Sequence, residues 1–390
     1  MKINRTRILF AMGRLGDNGA TRSLLALLRI LSKDKYDVSL FLCLDDNKVA
    51  REALPFDVRI VPGVLEYEIN RLPLIIALRK AVKSKRLDLV RFRIKVAIAR
   101  LFRAPQYPCW NALPCIEGQW DVVVSYADGW LSSMVIRKFN NGKKILWIHE
   151  DYERDMKPLE VIYSFRKADA IVGVSRDAIH HIRNILGESI DGKAHVVHNI
   201  IDPDEVRKLS SEESIELSNA KYNIISVGRI AYEKGFDIIP FVLSRLVKIG
   251  LDVHWSIVGT GLGSIINAIM ADAKALNVEH RIHFLGAKSN PHPYTKAADC
   301  FVQPSKYEGW GMTISEAISL NVPVVVSDIP VFHEQVVEGE NGFFAHDAES
   351  FAQAIERVLY EGLPSGRMKG YPCSPDNVLR EFDSVIERLS

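Results

Sequence analysis

Short runs of branched apolar residues recur along this chain, each bounded by a polar or glycine-bearing turn and followed by a helical pattern. In the first half they read as strands at Arg7–Met12, Val38–Leu44, Val58–Val61, Asp121–Tyr126, Lys144–His149, Ala170–Val174 and His195–His198. In the second half they fall at Asn223–Val227, Val253–Val258, Arg281–Leu285, Cys300–Gln303 and Val322–Ser327. Several are almost unbroken Val and Ile, as in strands covered on both faces. Such alternation points to an α/β architecture with parallel sheets. A chain of 390 residues is long for one core, so two domains are expected. The pattern breaks between Asp202 and Ala220, at the polar stretch Ser210 to Ser214. We therefore place one domain over residues 1–205 and a second over 220–365. A C-terminal helix within 366–390 has a pattern that can cross back to the first domain.

Composition removes several function classes. The chain is 47% apolar and 25% charged with a net charge of +2, so nothing global argues for nucleic acid. Cys43, Cys109, Cys115, Cys300 and Cys373 are odd in number and scattered, fitting neither a disulfide framework nor a zinc site. Idle thiols in a reducing cytosol are expected. The apolar run within Met1–Gly13 is too short for a signal-peptide core and reads as a first strand. No segment approaches the ~20 apolar residues that span a bilayer. One stretch stands apart: Arg79 to Arg103 holds ten Lys/Arg and a single acid, Asp88. Leu87, Val90, Ile94, Ala97, Ile98 and Leu101 share one helical face, with Leu89, Phe92 and Val96 opposite. This is either a surface helix packed on its own domain or a helix lying on an anionic membrane.

The stretch with most chemistry is Glu308 to Glu316, two carboxylates flanking a turn with Gly309 and Gly311. A strand precedes it and a helix pattern follows. A helix start offers free N–H groups and a positive dipole end, which suits a phosphate. Like charges repel, so the two glutamates must serve something else, such as hydroxyls. A sugar nucleotide carries both groups. Against this, Thr313 and Glu316 have the spacing of a capping box, which needs no ligand, and Glu308 alone is compatible with a solvated loop acid.

Other strand ends carry candidates of less individual weight. Gly13, Gly16 and Gly19 follow the first strand at a spacing unlike that of dinucleotide binding; Asp45 is the nearest acid to the usual ribose position. They make either a tight turn or a backbone approach to phosphate by Gly16 and Gly19. Arg229 and Lys234 lie in a short loop after the strand ending at Val227, where α/β folds bind ligands; two solvated cations are the alternative. Gly259, Gly261 and Gly263 keep the next turn thin so that a ligand can pass close by. His149 ends its strand beside Glu150 and Asp151, as a structural residue or as a partner for a ligand hydroxyl. Asp202-Pro203-Asp204 has a metal–diphosphate spacing but lies in the domain connector, and no metal is assigned.

Jointly these pieces resemble a family. Gly-Arg-x4-Lys-Gly at 228–235, Val-Gly-x-Gly at 258–261, Phe284-Leu285-Gly286 and Pro304-Ser305 with Glu308-x7-Glu316 follow in the order of the retaining family-4 (group 1) glycosyltransferases. Asn18-Gly19, Trp147-Ile148-His149 and Asn199-Ile200-Ile201-Asp202 resemble its N-terminal turn, histidine-bearing strand end and link, with Ile200 in place of a glycine. The resemblance implies two Rossmann-like domains facing across a cleft (the GT-B fold). It implies a metal-independent, retaining transfer of sugar from a nucleotide-sugar donor; a UDP-sugar is favoured over a GDP-sugar, though no single residue decides between them. The acceptor would be a saccharide or lipid-linked saccharide in cell-surface polysaccharide assembly.

By the same resemblance Arg229 and Lys234 would neutralise the donor diphosphate, and Glu316 would bind the ribose. Glu308 would hold the transferred sugar, and His149 would contact it from the other domain. Gly16, Gly19, Gly259, Gly309, Gly311, Met312 and Thr313 would line the donor. No cofactor is implied, because the nucleotide sugar is a substrate. A cytoplasmic location follows, peripheral on the inner face of the membrane through 79–103. The alternative is a non-hydrolysing sugar-nucleotide epimerase of the same fold, which the Arg-x4-Lys and Glu-x7-Glu pairs argue against. A nicotinamide-dependent dehydrogenase fails on glycine spacing.

Overall fold

The computed structural model describes residues 5–16, 18–44, 51–55, 57–61, 72–102, 104, 107–149, 159–363 and 372–389. The chain forms two compact units, one of Met1–Ile200 with Val378–Ser390 and the other of Ile201–Asn377. The division thus falls at Ile200, a few residues before the expected end of the first domain, and the C-terminal segment counts with the first unit.

The first unit is built from β1 (Thr6–Arg14), α1 (Gly19–Ile30), β2 (Tyr36–Leu44), β3 (Arg59–Val61), α2 (Leu74–Lys83), α3 (Leu87–Leu101), β4 (Val122–Ser125), α4 (Trp130–Lys138), β5 (Lys143–Ile148), α5 (Leu159–Lys167), β6 (Ala170–Gly173), α6 (Arg176–Leu186) and β7 (Ala194–Val196). The second follows with α7 (Pro203–Leu209), β8 (Tyr222–Val227), α8 (Ile239–Lys248), β9 (Val253–Val258), α9 (Gly263–Ala275), β10 (Ile282–Gly286), α10 (His292–Lys296), β11 (Cys300–Gln303), α11 (Met312–Ser319), β12 (Val324–Ser327), β13 (Gly342–Ala345) and α12 (Ala348–Glu361). The last helix, α13 (Pro375–Leu389), reaches back into the first unit.

Sheet order is β3-β2-β1-β4-β5-β6-β7 in the first unit and β10-β9-β8-β11-β12-β13 in the second, every pairing parallel. The apolar runs explain this directly. Ile8 to Ala11 in β1 and Val123 to Val124 in β4 are wholly buried, which requires cover on both sheet faces. Both units are Rossmann-like.

The C-terminal helix joins the first unit through side chains with opposite chemistry on two sides. Phe382 stacks on Phe10 at 6.1 Å and meets Tyr36 edge-on at 5.8 Å. Asp383 accepts from the Tyr36 hydroxyl at 2.5 Å and pairs with Lys35. Glu381 accepts from the His198 backbone at 2.9 Å and bonds its ring Nδ1 at 2.7 Å.

Two expectations are corrected. Strand β13 was not anticipated, being only four residues long and opening on a glycine. Gly342 is there because a Cβ would lie 2.3 Å from the Val324 carbonyl of the neighbouring strand. The basic segment is two helices rather than one, broken at Lys85 with φ +54. Of its two apolar faces, the one with Leu89, Phe92, Arg93, Val96 and Ala99 is buried, Phe92 lying 5.1 Å from Trp110. Leu87, Ile94, Ile98, Leu101 and Phe102 are exposed. The larger aromatic and the better-spaced set at 89, 92, 96 and 99 won the core, and Arg93 went with them by bonding the Leu72 carbonyl at 2.9 Å. Arg103 lies outside the described residues.

Candidate active site

Sequence places three turns side by side in the second unit, after β8, β9 and β11. The loop after β8 holds Arg229 against Glu233 at 2.5 Å, with the guanidinium largely exposed. Such an exposed pair contributes roughly 0–1 kcal/mol, so a phosphate can replace the carboxylate readily. Lys234 instead turns inward to Glu308, both side chains being largely buried. The loop after β11 is tied to the same turn, Lys306 N donating to the Glu233 carbonyl at 2.8 Å. Lysine has three N–H donors, so engaging Glu308 leaves two for phosphate oxygens.

Beyond Glu308 the chain enters α11, whose N-cap is Gly311 at φ +89 with no side-chain cap. The capping box expected of Thr313 and Glu316 does not form, because the cap is Gly311 and helix entry is two residues too early for Thr313 to sit there. First-turn amides at Met312 and Thr313 keep the positive helix end open. Glu316 is 5% exposed in mid-helix. The turn is held from beneath: Trp310 Nε1 donates to Ser315 Oγ at 3.1 Å, Ser315 Oγ donates to Gln335 Oε1 at 2.8 Å, and Gln335 Nε2 returns to the Trp310 carbonyl. Gly309 lies within this turn.

Gly259 has a reason different from the one expected. At φ +150, a Cβ there would lie 1.9 Å from the Gly228 carbonyl. The glycine is required by the neighbouring loop, which it lets approach, before any ligand is considered.

The candidates in the first unit gather at one sheet edge. Asn18 caps α1, accepting from Thr21 N at 2.9 Å, and Gly19 opens that helix. The Gly16 amide is already committed to Thr21 Oγ1 at 3.0 Å, so its expected phosphate contact is withdrawn. Tyr126, after β4, bonds Ser23 of α1 at 3.1 Å and lies 4.8 Å from the His149 ring. Neither His149 ring nitrogen has a hydrogen-bond partner among the described residues. Burial pushes its pKa down to about 3, with the Tyr126 backbone offsetting part of that. The ring is thus neutral at physiological pH. Asp17, Asp45, Glu150 and Asp151 lie outside the described residues. Asp202 is a helix cap, accepting from Asp204 N and Glu205 N at 3.1 Å.

The His149 shift has a pH signature. Unfolded histidine takes its proton near pH 6.5, whereas the folded ring resists until about pH 3. Stability from this residue is therefore whole above pH 6.5 and falls as pH drops below it, by about 1.4 kcal/mol per pH unit. His149→Gln is expected to remove one proton from the pH dependence of unfolding between pH 6.5 and 4, read by denaturant titration. Equal slopes in variant and parent contradict the buried neutral ring.

Sequence reasoning missed the buried polar side chains that support the site. Gln303 and Ser305 are fully buried, as are Ser315 and Gln335 within 2%. The one available signal was a glutamine closing the otherwise apolar run Cys300-Phe301-Val302.

Residues 17–205 match the Glycosyltransferase Family 4 model and residues 209–369 the Glycosyl transferases group 1 model. An uncharacterized glycosyltransferase of Methanocaldococcus jannaschii is 26% identical over 220 residues, 53% of either chain. The lipopolysaccharide core biosynthesis mannosyltransferase LpsB of Rhizobium meliloti is 28% identical over 137 residues, 34% of this chain and 38% of that one. The chain thus spans about half, or less, of each of these two relatives. Among solved structures, Anabaena HepE in complex with UDP and glucose superposes with a TM-score of 0.67 at 14% identity, covering 98% of this chain and 100% of that one. Two adjoining family matches over two parallel-sheet units, with the paired cations and glutamates on the second, make this chain a member of the group 1 glycosyltransferases, with their GT-B fold.

Proposed function

We propose that this chain transfers a sugar from a nucleotide-sugar donor to a saccharide or lipid-linked saccharide acceptor in cell-surface polysaccharide or lipopolysaccharide assembly. The carrying observation is the convergence of Arg229, Lys234, Glu308 and the uncapped start of α11 within one unit. In this reading Arg229 and Lys234 take the diphosphate and stabilise it as leaving group, a role that metal-dependent enzymes give to a cation. The reaction then needs no metal, and chelator leaves it unchanged. Met312 and Thr313 amides with Gly309 and Gly311 face phosphate and sugar, Glu316 the ribose, and Glu308 a hydroxyl of the transferred sugar. His149 and the amide of Gly19 serve donor or acceptor from the first unit. The anomeric configuration is retained by front-face displacement, the leaving phosphate taking the acceptor proton. The UDP and glucose named for HepE favour a UDP-sugar, and the LpsB name favours a surface-saccharide acceptor.

A thermal-shift screen over UDP-, GDP- and ADP-sugars tests this. A UDP-sugar is expected to raise the melting point most; no shift with any nucleotide sugar refutes the donor assignment. Both family matches are to transferases, which favours transfer over the epimerase alternative.

We further propose that α2 and α3 rest on the inner face of an anionic membrane. No helix among the described residues is long and apolar enough to cross one. The exposed surface of α3 runs Leu87, Arg91, Ile94, Lys95, Ile98, Leu101 at helical spacing, and α2 adds Ile75, Ile76, Arg79, Val82 and Lys83. Apolar side chains interleaved with cations are what an interfacial helix presents to acidic lipid.

A further inference from the structure

We infer that Ser305 and Gln303 are positioning residues that set which oxygen of Glu308 meets the ligand. The inference rests on the proposed role of Glu308 toward the transferred sugar.

Gln303 closes β11 and Ser305 follows it by two residues; both are wholly buried. Gln303 Nε2 donates to Ser305 Oγ at 2.8 Å, and Ser305 Oγ donates to Glu308 Oε1 at 3.1 Å. The direction of this chain is forced. An ionised carboxylate only accepts, and a serine hydroxyl has one proton. With that proton on Glu308, Ser305 must receive from the amide nitrogen of Gln303. The amide oxygen is then turned away, and it is buried without a hydrogen-bond partner among the described residues. Buried amide oxygens normally find one. The opposite amide orientation would draw the Ser305 proton off Glu308, so the orphaned oxygen is what holding the carboxylate costs.

Lys234 engages the same oxygen, Oε1. Two donors on one oxygen fix the carboxylate rotamer and leave Oε2, which takes no hydrogen bond from a described residue, to face a hydroxyl. Ser305 therefore links the diphosphate cation and the sugar-facing acid through one atom. Precise placement of such a group governs discrimination between substrates that differ in a single hydroxyl.

The test compares the best nucleotide sugar from the donor screen with its nucleoside diphosphate, which lacks the sugar. Ser305→Ala is expected to leave nucleoside-diphosphate affinity within about twofold while lowering the extra affinity conferred by the sugar by about tenfold. It is also expected to narrow the preference between hexose epimers and to lower kcat more than it raises KM. Gln303→Glu, which places a competing acceptor beside Ser305, reproduces the loss with the hydroxyl intact, and Gln303→Met gives a smaller loss. This pair decides the matter if Ser305→Ala does not fold. Equal losses for nucleoside diphosphate and nucleotide sugar would mean a merely structural role and overturn the inference. So would unchanged sugar discrimination in Ser305→Ala alongside its loss in Glu308→Gln. If Glu308→Gln itself keeps the discrimination, the sugar-facing role of Glu308 fails instead.

Discussion

Lys234→Ala is expected to erase most of the melting-point rise that a nucleotide sugar produces and to lower kcat/KM by about 10²–10³-fold. Removal of one preorganised group facing developing charge costs this much in a site shielded from water. Alanine at Arg229 is expected to cost less, because its guanidinium is largely exposed and already shared with Glu233. The ion pair with Glu308 complicates the readout. Without Lys234 a largely buried carboxylate loses its counter-charge, although Ser305 still donates to it. The unliganded variant should therefore melt somewhat lower for reasons unrelated to donor. Adding Glu308→Gln removes that unpaired charge, so the double variant should regain the unliganded melting point without regaining the ligand-induced rise. A single variant that still shifts fully would refute the diphosphate role of Lys234.

Where the sequence was legible, the reason was redundancy of signal. A strand such as Val253–Val258 coincides with its expected bounds because apolar run, preceding turn and following glycine agree. Lys234 and Glu308 were each visible, but their pairing was not, since a contact across 74 residues leaves no trace in spacing. Thr313 and Glu316 show the opposite failure. Their motif is local and well formed, yet the tertiary demand for Gly311 at positive φ set the helix start ahead of it. The buried face of α3 was not legible because both of its faces are apolar, so amphipathicity could not choose between them. Packing against Trp110 chose the face carrying Phe92. That choice left Leu87, Ile94, Ile98, Leu101 and Phe102 on the surface, which favours the proposed membrane contact.

Replacing Lys83, Arg91, Lys95 and Arg100 by glutamate is expected to abolish binding to vesicles containing phosphatidylglycerol. All four are exposed. Each basic side chain near an anionic surface contributes about 1 kcal/mol, so losing four weakens partitioning by about 10³-fold before the added repulsion is counted. Arg93 is left untouched, since it is buried on the Leu72 carbonyl and its loss would disturb the helix itself. The apolar contribution separates by its salt response. Ile98→Ser with Leu101→Ser and Phe102→Ser should weaken binding at every ionic strength, because apolar burial is not screened. The glutamate variant, in contrast, should lose the salt dependence along with the binding, since screening acts only on the charge term. Co-sedimentation with acidic and zwitterionic vesicles over a salt series measures both. Acidic-vesicle binding by the glutamate variant equal to that of the parent would sink the membrane proposal, and the exposed ridge would then be a surface for a protein partner.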